Sequence, residues 1–209
     1  MNNNFKILVR GILAGILISI GGTIYLLCES KMLGAFLFSI GLFTICCYGF
    51  NLYTGKIGYI VDKDLSYLKE LGLTLVGNLI GTVSCGYLLH LTRSGEKLFE
   101  IARSICDIKL SDSLISIFIL SIFCGMIMYL AVDLFKRLKD FGRYVGIFMG
   151  ITVFILAGFE HCVANMFYFS VANMWSLNTI LYVFMMIIGN SVGSIVLALL
   201  MKYSLDKNN

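Results

Sequence analysis

The sequence predicts an all-α membrane protein of six transmembrane helices, two of them broken, built as an inverted repeat of three helices. Three observations lead there: an apolar composition beyond what a soluble domain can bury, a series of long uncharged runs, and a segment that returns in the second half of the chain. Of the 209 residues, 59% are hydrophobic and only 13% charged, and the mean hydropathy is +0.91. That excess of apolar surface has to face lipid. Crossing about 30 Å of hydrocarbon at about 1.5 Å per residue takes roughly 20 residues. Runs over 7–27, 32–52, 68–91, 114–135, 144–159 continuing to 171, and 179–201 approach that length. The linkers leave almost no soluble portion, so 1–209 is read as one transmembrane domain with repeat halves at about 1–100 and 101–209. The first run is too long, and too closely followed by others, to be a cleaved signal peptide.

Orientation follows from the short loops. Lys6, Arg10, Lys63, Lys69, Lys136, Arg137, Lys139, Arg143, Lys202 and Lys207 fall on the side of the termini, against Lys31, Arg93, Lys97, Arg103 and Lys109 on the other. Both termini are therefore expected in the cytoplasm. The net charge of +4 is an orientation signal and forms no basic stripe of the kind nucleic acid requires. Seven Cys lie mostly within the spans and form no CxxC pair, which reads as small apolar packing.

The repeat is the most informative feature. Gly49-Phe50-Asn51-Leu52-Tyr53-Thr54-Gly55 returns as Gly158-Phe159-Glu160-His161-Cys162-Val163-Ala164, an offset of 109 (158 − 49). Gly77-Asn78-Leu79-Ile80-Gly81 returns as Gly189-Asn190-Ser191-Val192-Gly193, an offset of 112 (189 − 77). Three spans per half make the second half enter the membrane from the opposite side, an architecture of transporters and channels with their site near the midplane. Asn78 and Asn190 are read as packing residues whose amides bond across close helix contacts.

In both halves the motif puts polar groups where a span should be continuous. The chain has no proline, so the first break is expected to rest on Gly49, Gly55 and Gly58 with local bonding by Thr54. Around 160–165, polar side chains can take up freed backbone groups. Irregular backbone at membrane depth implies a lined cavity, and helices restarting after each break would aim positive N-termini at it, favouring an anion. His161 is the leading site residue, because an ionisable group inside a span is costly and imidazole changes charge near neutral pH. A lone hydrogen-bonded packing histidine is the plainer alternative. Thr54, at the partner break, can bond His161 or an oxyanion, or simply bend its helix. Glu160 suits backbone amides better than an anion, and Asn165 completes the polar stretch.

At these residues the chain resembles a known family. Gly158-Phe159-Glu160-His161-Cys162-Val163-Ala164-Asn165-Met166-Phe167 is similar to the GFEHSVANMF signature of formate/nitrite transporters. Leu52-Tyr53-Thr54-Gly55-Lys56 resembles their LFTGN loop, and the two Gly-Asn pairs resemble their other landmarks. The resemblance covers nearly the whole chain and implies an aquaporin-like fold and a homopentamer with one pore per protomer. The cargo it implies is a small monovalent anion such as formate, nitrite, a lactate-like monocarboxylate or hydrosulfide, without cofactor or metal. It puts Thr54 and His161 at the centre, Phe38, Leu42 and Leu52 at one constriction, and Tyr53, Met128 and Phe154 at the other. Lys109 takes the place of an outer-vestibule lysine, against the plainer reading of a solvated loop charge. The chain departs from the family at Cys124-Gly125-Met126 in place of CNW, at Lys56 in place of asparagine, and at Phe169-Ser170 in place of a following proline. Only a few residues precede the first span, where the family has an amphipathic helix.

The expectation is proton-coupled passage of the anion across a bacterial cytoplasmic membrane, with lipid, anion and proton as partners and no nucleic acid. An aquaporin-type pore for neutral solutes is the alternative, although its asparagine-proline-alanine loops are missing. A membrane enzyme or metalloprotein using His161, Cys162 and Glu160 is disfavoured, since the chain has only two His and no HExxH or nucleophile elbow.

Overall fold

The apolar runs become eight α-helices within residues 3–205, the part of the chain that the computed structural model describes. Lys207, one of the charges in the terminal tally, lies outside it. The helices are α1 (Asn3–Leu27), α2 (Lys31–Tyr48), α3 (Ser66–Leu89), α4 (Gly95–Ser111), α5 (Leu114–Arg137), α6 (Gly142–Leu156), α7 (Cys162–Val171) and α8 (Leu177–Leu205), with a 3-10 segment over Ile57–Asp62. Serines set two of the starts. The Ser30 hydroxyl accepts the Leu33 N–H before α2, and the Ser113 hydroxyl accepts the Ser116 N–H before α5, each satisfying a donor that a helix N-terminus leaves open.

Five helices, α1, α2, α3, α5 and α8, are each long and apolar enough to cross a membrane. The run expected over 144–171 divides into α6, of 15 residues, and α7, of 10, neither of which covers about 30 Å by itself. The two interrupted segments are unequal. The first places an 18-residue helix before its break and only the 3-10 segment after it, whereas the second restarts as a regular helix capped by His161.

Small residues let the long helices meet. α1 lies along α3, and α5 along α8. A methyl group added at Gly15 would come within 2.5 Å of the Asn78 carbonyl, and one at Gly193 within 1.9 Å of the Ile122 carbonyl. Backbone therefore packs on backbone in both pairs. α2 bridges α1 and α6, and α6 returns to α5. The restarts pack crosswise, α7 on α3 and the 3-10 segment on α8, so each restart lies against the last long helix of the other half. Phe36, Ile40, Met149, Phe184 and Leu200 point outward, where only an apolar medium accepts them without cost.

The linker expected between 91 and 114 is instead α4. Leu98, Ala102 and Cys106, one turn apart and buried, give it an apolar stripe against α7, while Lys97, Glu100, Arg103 and Asp107 stay exposed. This is a surface amphipathic helix, too polar to stand out in a search for spans.

Candidate functional site

The repeated Gly-Phe pairs end α2 and α6 in the same way. Gly49 and Gly158 adopt φ of +66° and +70°, a conformation that only glycine takes without strain. The Phe50 N–H reaches back to the Ile45 carbonyl at 2.9 Å and the Phe159 N–H to the Phe154 carbonyl at 3.0 Å. With the Gly49 to Cys46 and Gly158 to Ile155 bonds, each is a Schellman termination, which stops the helix and turns the chain.

Beyond each turn the bare backbone is clamped by an asparagine from a long helix. The Asn78 amide donates to the carbonyls of Gly11 (2.9 Å) and Asn51 (2.8 Å), and its oxygen accepts the Tyr53 N–H at 2.9 Å. The Asn190 amide donates to the carbonyls of Ser121 and Glu160, both at 2.8 Å, and its oxygen accepts the Cys162 N–H at 2.9 Å. Both asparagines are fully buried. They pack between helices as expected, and they also satisfy groups that the breaks leave exposed in an apolar interior. The shared Gly-Asn signal marked them in the sequence, but not which backbone they hold.

The clamps bring the two breaks together at Thr54 and His161. The Thr54 hydroxyl oxygen lies 2.9 Å from His161 Nε2, and both residues are buried. His161 Nδ1 accepts the Ala164 N–H at 3.1 Å as the N-cap of α7. An amide can only donate, so in the neutral ring Nε2 carries the proton and donates to Thr54, whose own hydroxyl hydrogen stays available. Thr54, expected to bond His161 or an oxyanion or else to bend its own helix, lies against His161 of the other half of the chain. Two of the amides expected to face the cavity, those of Cys162 and Ala164, already have protein acceptors. The Phe154 ring lies against His161, centroids 5.6 Å apart, and Phe38 meets Phe154 edge-on at 6.2 Å.

Glu160 does not turn to loop amides. Its carboxylate takes the Lys109 ammonium on both oxygens, at 2.8 and 2.7 Å, and the Asn165 amide at 2.7 Å. Asn165 also donates to the His161 carbonyl at 3.0 Å, while its own buried oxygen has no partner among the described residues. Lys109 is thus an ion-paired residue of α4 and not a free loop charge.

Two cavities flank the Thr54–His161 pair. Leu42 and Leu52 line one, of about 260 Å³, at the end where α1 begins. Phe154, His161, Glu160, Asn165 and Lys109 line the other, of about 240 Å³, together with Tyr25 from the far end of α1. Of the remaining residues expected at constrictions, Phe38 and Met128 are fully buried, and the Tyr53 hydroxyl bonds Ser191 at 2.9 Å. No group of three His, Cys, Asp or Glu gathers as metal ligands among the described residues.

Apolar helices around a buried polar centre, held between two helix interruptions and flanked by cavities, define a multi-pass membrane protein of the channel and transporter class. Residues 2–204 match the model of the family described as formate/nitrite transporter, and the chain belongs to that family. A formate-nitrite transporter of Plasmodium knowlesi (strain H) is 28% identical over 204 residues, covering 82% of this chain and 65% of its own length. The chain thus spans slightly under two thirds of that relative. An uncharacterized Bacillus subtilis (strain 168) transporter, YrhG, is 32% identical over 191 residues, 78% of this chain and 69% of its own. A solved pentameric formate channel with formate bound superposes with a TM-score of 0.81 at 22% identity over 97% of both chains, so the fold is shared. The protein is an integral multi-pass membrane protein of a family of transporters and channels, not enzymes. That membership does not favour the neutral-solute alternative.

Proposed function

We propose that the protein moves a small monovalent anion of the formate, nitrite or hydrosulfide class across a bacterial cytoplasmic membrane, coupled to a proton, through a central Thr54–His161 site. In this reading six spans form an inverted repeat with both termini in the cytoplasm, and five copies assemble with one pore each. The observation that carries it is the buried 2.9 Å contact between Thr54 and His161, which joins the two breaks by the two polar side chains best suited to handle a proton. Relatives named as formate-nitrite transporters, and a similar chain described as a pentameric formate channel, support the cargo class and the assembly.

A bare anion loses several kcal/mol or more on leaving water for the apolar walls of Phe38, Leu42, Leu52 and Phe154, and its conjugate acid far less. Protonation in or near the central site is therefore the low-barrier route. The Thr54 hydroxyl hydrogen is the donor that meets the anion, and His161 fixes the oxygen behind it. For His161 to relay a proton, Nδ1 must gain one, displacing the Ala164 N–H, as Nε2 releases another. The Ala164 cap thus opposes a standing positive charge on the ring and favours neutral crossing over channel-like passage of the ion.

Proteoliposomes supplied in turn with formate, nitrite and hydrosulfide, with internal pH followed, test the proposal. Alkalinisation or acidification tracking the flux at one proton per anion is expected for at least one cargo. Electrogenic flux without a proton, or none of the three carried, would remove it.

A further inference from the structure

The two members of the central pair are supported unequally. His161 is fixed by its own element, since Nδ1 accepts the Ala164 N–H as the N-cap of α7. Thr54 lies in a turn, and the 3-10 segment after it starts without a side-chain cap. What holds that turn is its neighbour. The Tyr53 N–H is taken by the Asn78 oxygen, and the Tyr53 carbonyl accepts the N–H groups of Lys56 and Ile57, all at 2.9 Å. Its side chain reaches further, to α8 in the other half of the chain, where the hydroxyl lies 2.9 Å from the Ser191 hydroxyl. Ser191 has one hydrogen to give, and gives it to the Ile187 carbonyl at 2.6 Å. The Tyr53 hydroxyl is therefore the donor and Ser191 the acceptor. Ser191 follows Asn190, whose amide holds the Glu160 carbonyl and whose oxygen holds the Cys162 N–H. Adjacent residues of α8 thus hold both neighbours of His161 and the neighbour of Thr54. The repeat has no matching tie. By the offsets of 109 and 112, Cys162 stands where Tyr53 does and Leu79 where Ser191 does, and a leucine side chain accepts no hydrogen bond. The half whose restart lacks a side-chain cap is the half that carries the tie.

Resting on the proton-coupled reading above, we propose that Tyr53 and Ser191 are positioning residues for the central site. Their hydrogen bond ties the first break to the helix that holds the second, and so keeps the Thr54 hydroxyl within reach of both His161 and the cargo. The reason is geometric. Proton transfer needs heavy atoms about 2.6–3.2 Å apart, and a displacement of about 1 Å in a reacting group costs on the order of a hundredfold in rate. The backbone bonds of Tyr53 fix where the turn begins, while the side-chain tie fixes how far it stands from α8. The Tyr53 hydroxyl acts through Thr54 and not on the cargo, because its hydrogen is already given to Ser191. Cutting the tie therefore leaves entry of the anion intact and slows its passage, a loss of maximal rate without a matching loss of affinity.

The test is formate flux with internal pH followed in proteoliposomes, comparing the unmodified protein with Tyr53→Phe, Ser191→Ala, Ser191→Thr and the combined Tyr53→Phe/Ser191→Ala. Tyr87→Phe, which removes a hydroxyl bonded to Asn173 near the end of α3, is the control. Maximal flux is expected to fall about tenfold in Tyr53→Phe and in Ser191→Ala, with half-saturating formate changed by less than about twofold. The combined variant should lose no more than either alone, since each breaks the same bond. Ser191→Thr keeps the hydroxyl and should keep the flux, and Tyr87→Phe should leave it unchanged. A second measurement needs no transport. The chain has two histidines, so NMR of histidine-labelled protein in detergent, with His90→Gln for assignment, reads the Nε2–H of His161 directly. In Tyr53→Phe and Ser191→Ala that resonance should move toward its position in Thr54→Val, and in Ser191→Thr it should stay in place. Flux within about twofold of the parent in both tie-breaking variants, additive losses, Ser191→Thr no better than Ser191→Ala, or a resonance indifferent to the tie would overturn the assignment. So would a fall in flux that follows from raised half-saturation, which would make Tyr53 a cargo contact. Tyr53→Phe keeps the ring and Ser191→Ala keeps all of Tyr53, so a folding failure confined to one leaves the other to decide. Absence of flux for every anion in the unmodified protein would instead count against the transport reading, and the His161 resonance would still decide whether the tie positions the pair.

Discussion

At the scale of single residues, the centre is a short chain of hydrogen bonds with assigned directions. The Ala164 amide holds Nδ1 of His161, Nε2 holds Thr54, and the Thr54 hydroxyl hydrogen is left to meet the cargo. If that chain moves the proton, His161→Phe, which keeps an aromatic ring beside Phe154, should cut proton-coupled flux at least about a hundredfold, while loss of the Ala164 cap lowers stability by only about 1–2 kcal/mol. Retention of both rate and pH dependence would remove His161 from the mechanism. The clamps make a different prediction. Asn190→Ala strips partners from two carbonyls and one amide, at a cost of about 3 kcal/mol, and Asn190→Leu, which refills the volume, should do no better. A leucine variant as stable as the parent in a detergent melt would show that volume alone matters there. Lys109 and Glu160 form a partly buried pair, with side chains 15% and 5% exposed. Glu160→Gln should destabilise by about 3 kcal/mol, and adding Lys109→Met should restore part of the loss in a double-mutant cycle.

At the scale of elements, the interruptions were legible and their partners were not. Gly-Phe followed by polar residues inside an apolar run announces a break, and both copies prove to be the same Schellman termination. The division of labour after the break was hidden. The first restarts as a 3-10 segment whose first residue has no side-chain cap, and the second as α7 with a histidine cap. α4 was missed because its stripe of Leu98, Ala102 and Cys106 is interleaved with charges, so it reads as a linker until α7 covers it. The Cys124-Gly125-Met126 departure acquires a packing reason, since a methyl group at Gly125 would lie 2.2 Å from the Asn190 carbonyl. The same closeness at Gly193 predicts that Gly193→Val forces α5 and α8 apart and costs about 3 kcal/mol, read as a lower melting temperature and loss of the folded species on size-exclusion chromatography.

At the scale of the whole molecule, a homopentamer predicts a native mass five times the 23.3 kDa of one chain, with each protomer carrying flux in proportion to its copy number when mixed with His161→Phe chains. A mass of one or two chains in mild detergent would remove the pentamer and leave the pore of each protomer standing. By itself the sequence determined the membrane class, the runs that become the five long helices and the two places where helices fail. These are properties of composition and local pattern: hydropathy acts residue by residue, and in both copies of the repeat a Gly-Phe pair followed by polar residues ends the helix before it. Only the tertiary structure decided which groups answer one another. Asn78 and Asn190 clamp segments about 27 and 28 residues away, Lys109 crosses from an unforeseen helix to neutralise Glu160, and the Tyr53 hydroxyl reaches Ser191 in the other half of the chain. In an apolar interior each polar group must find a partner, and which partner it finds depends on how close the helices approach, a distance set by packing and absent from any local pattern.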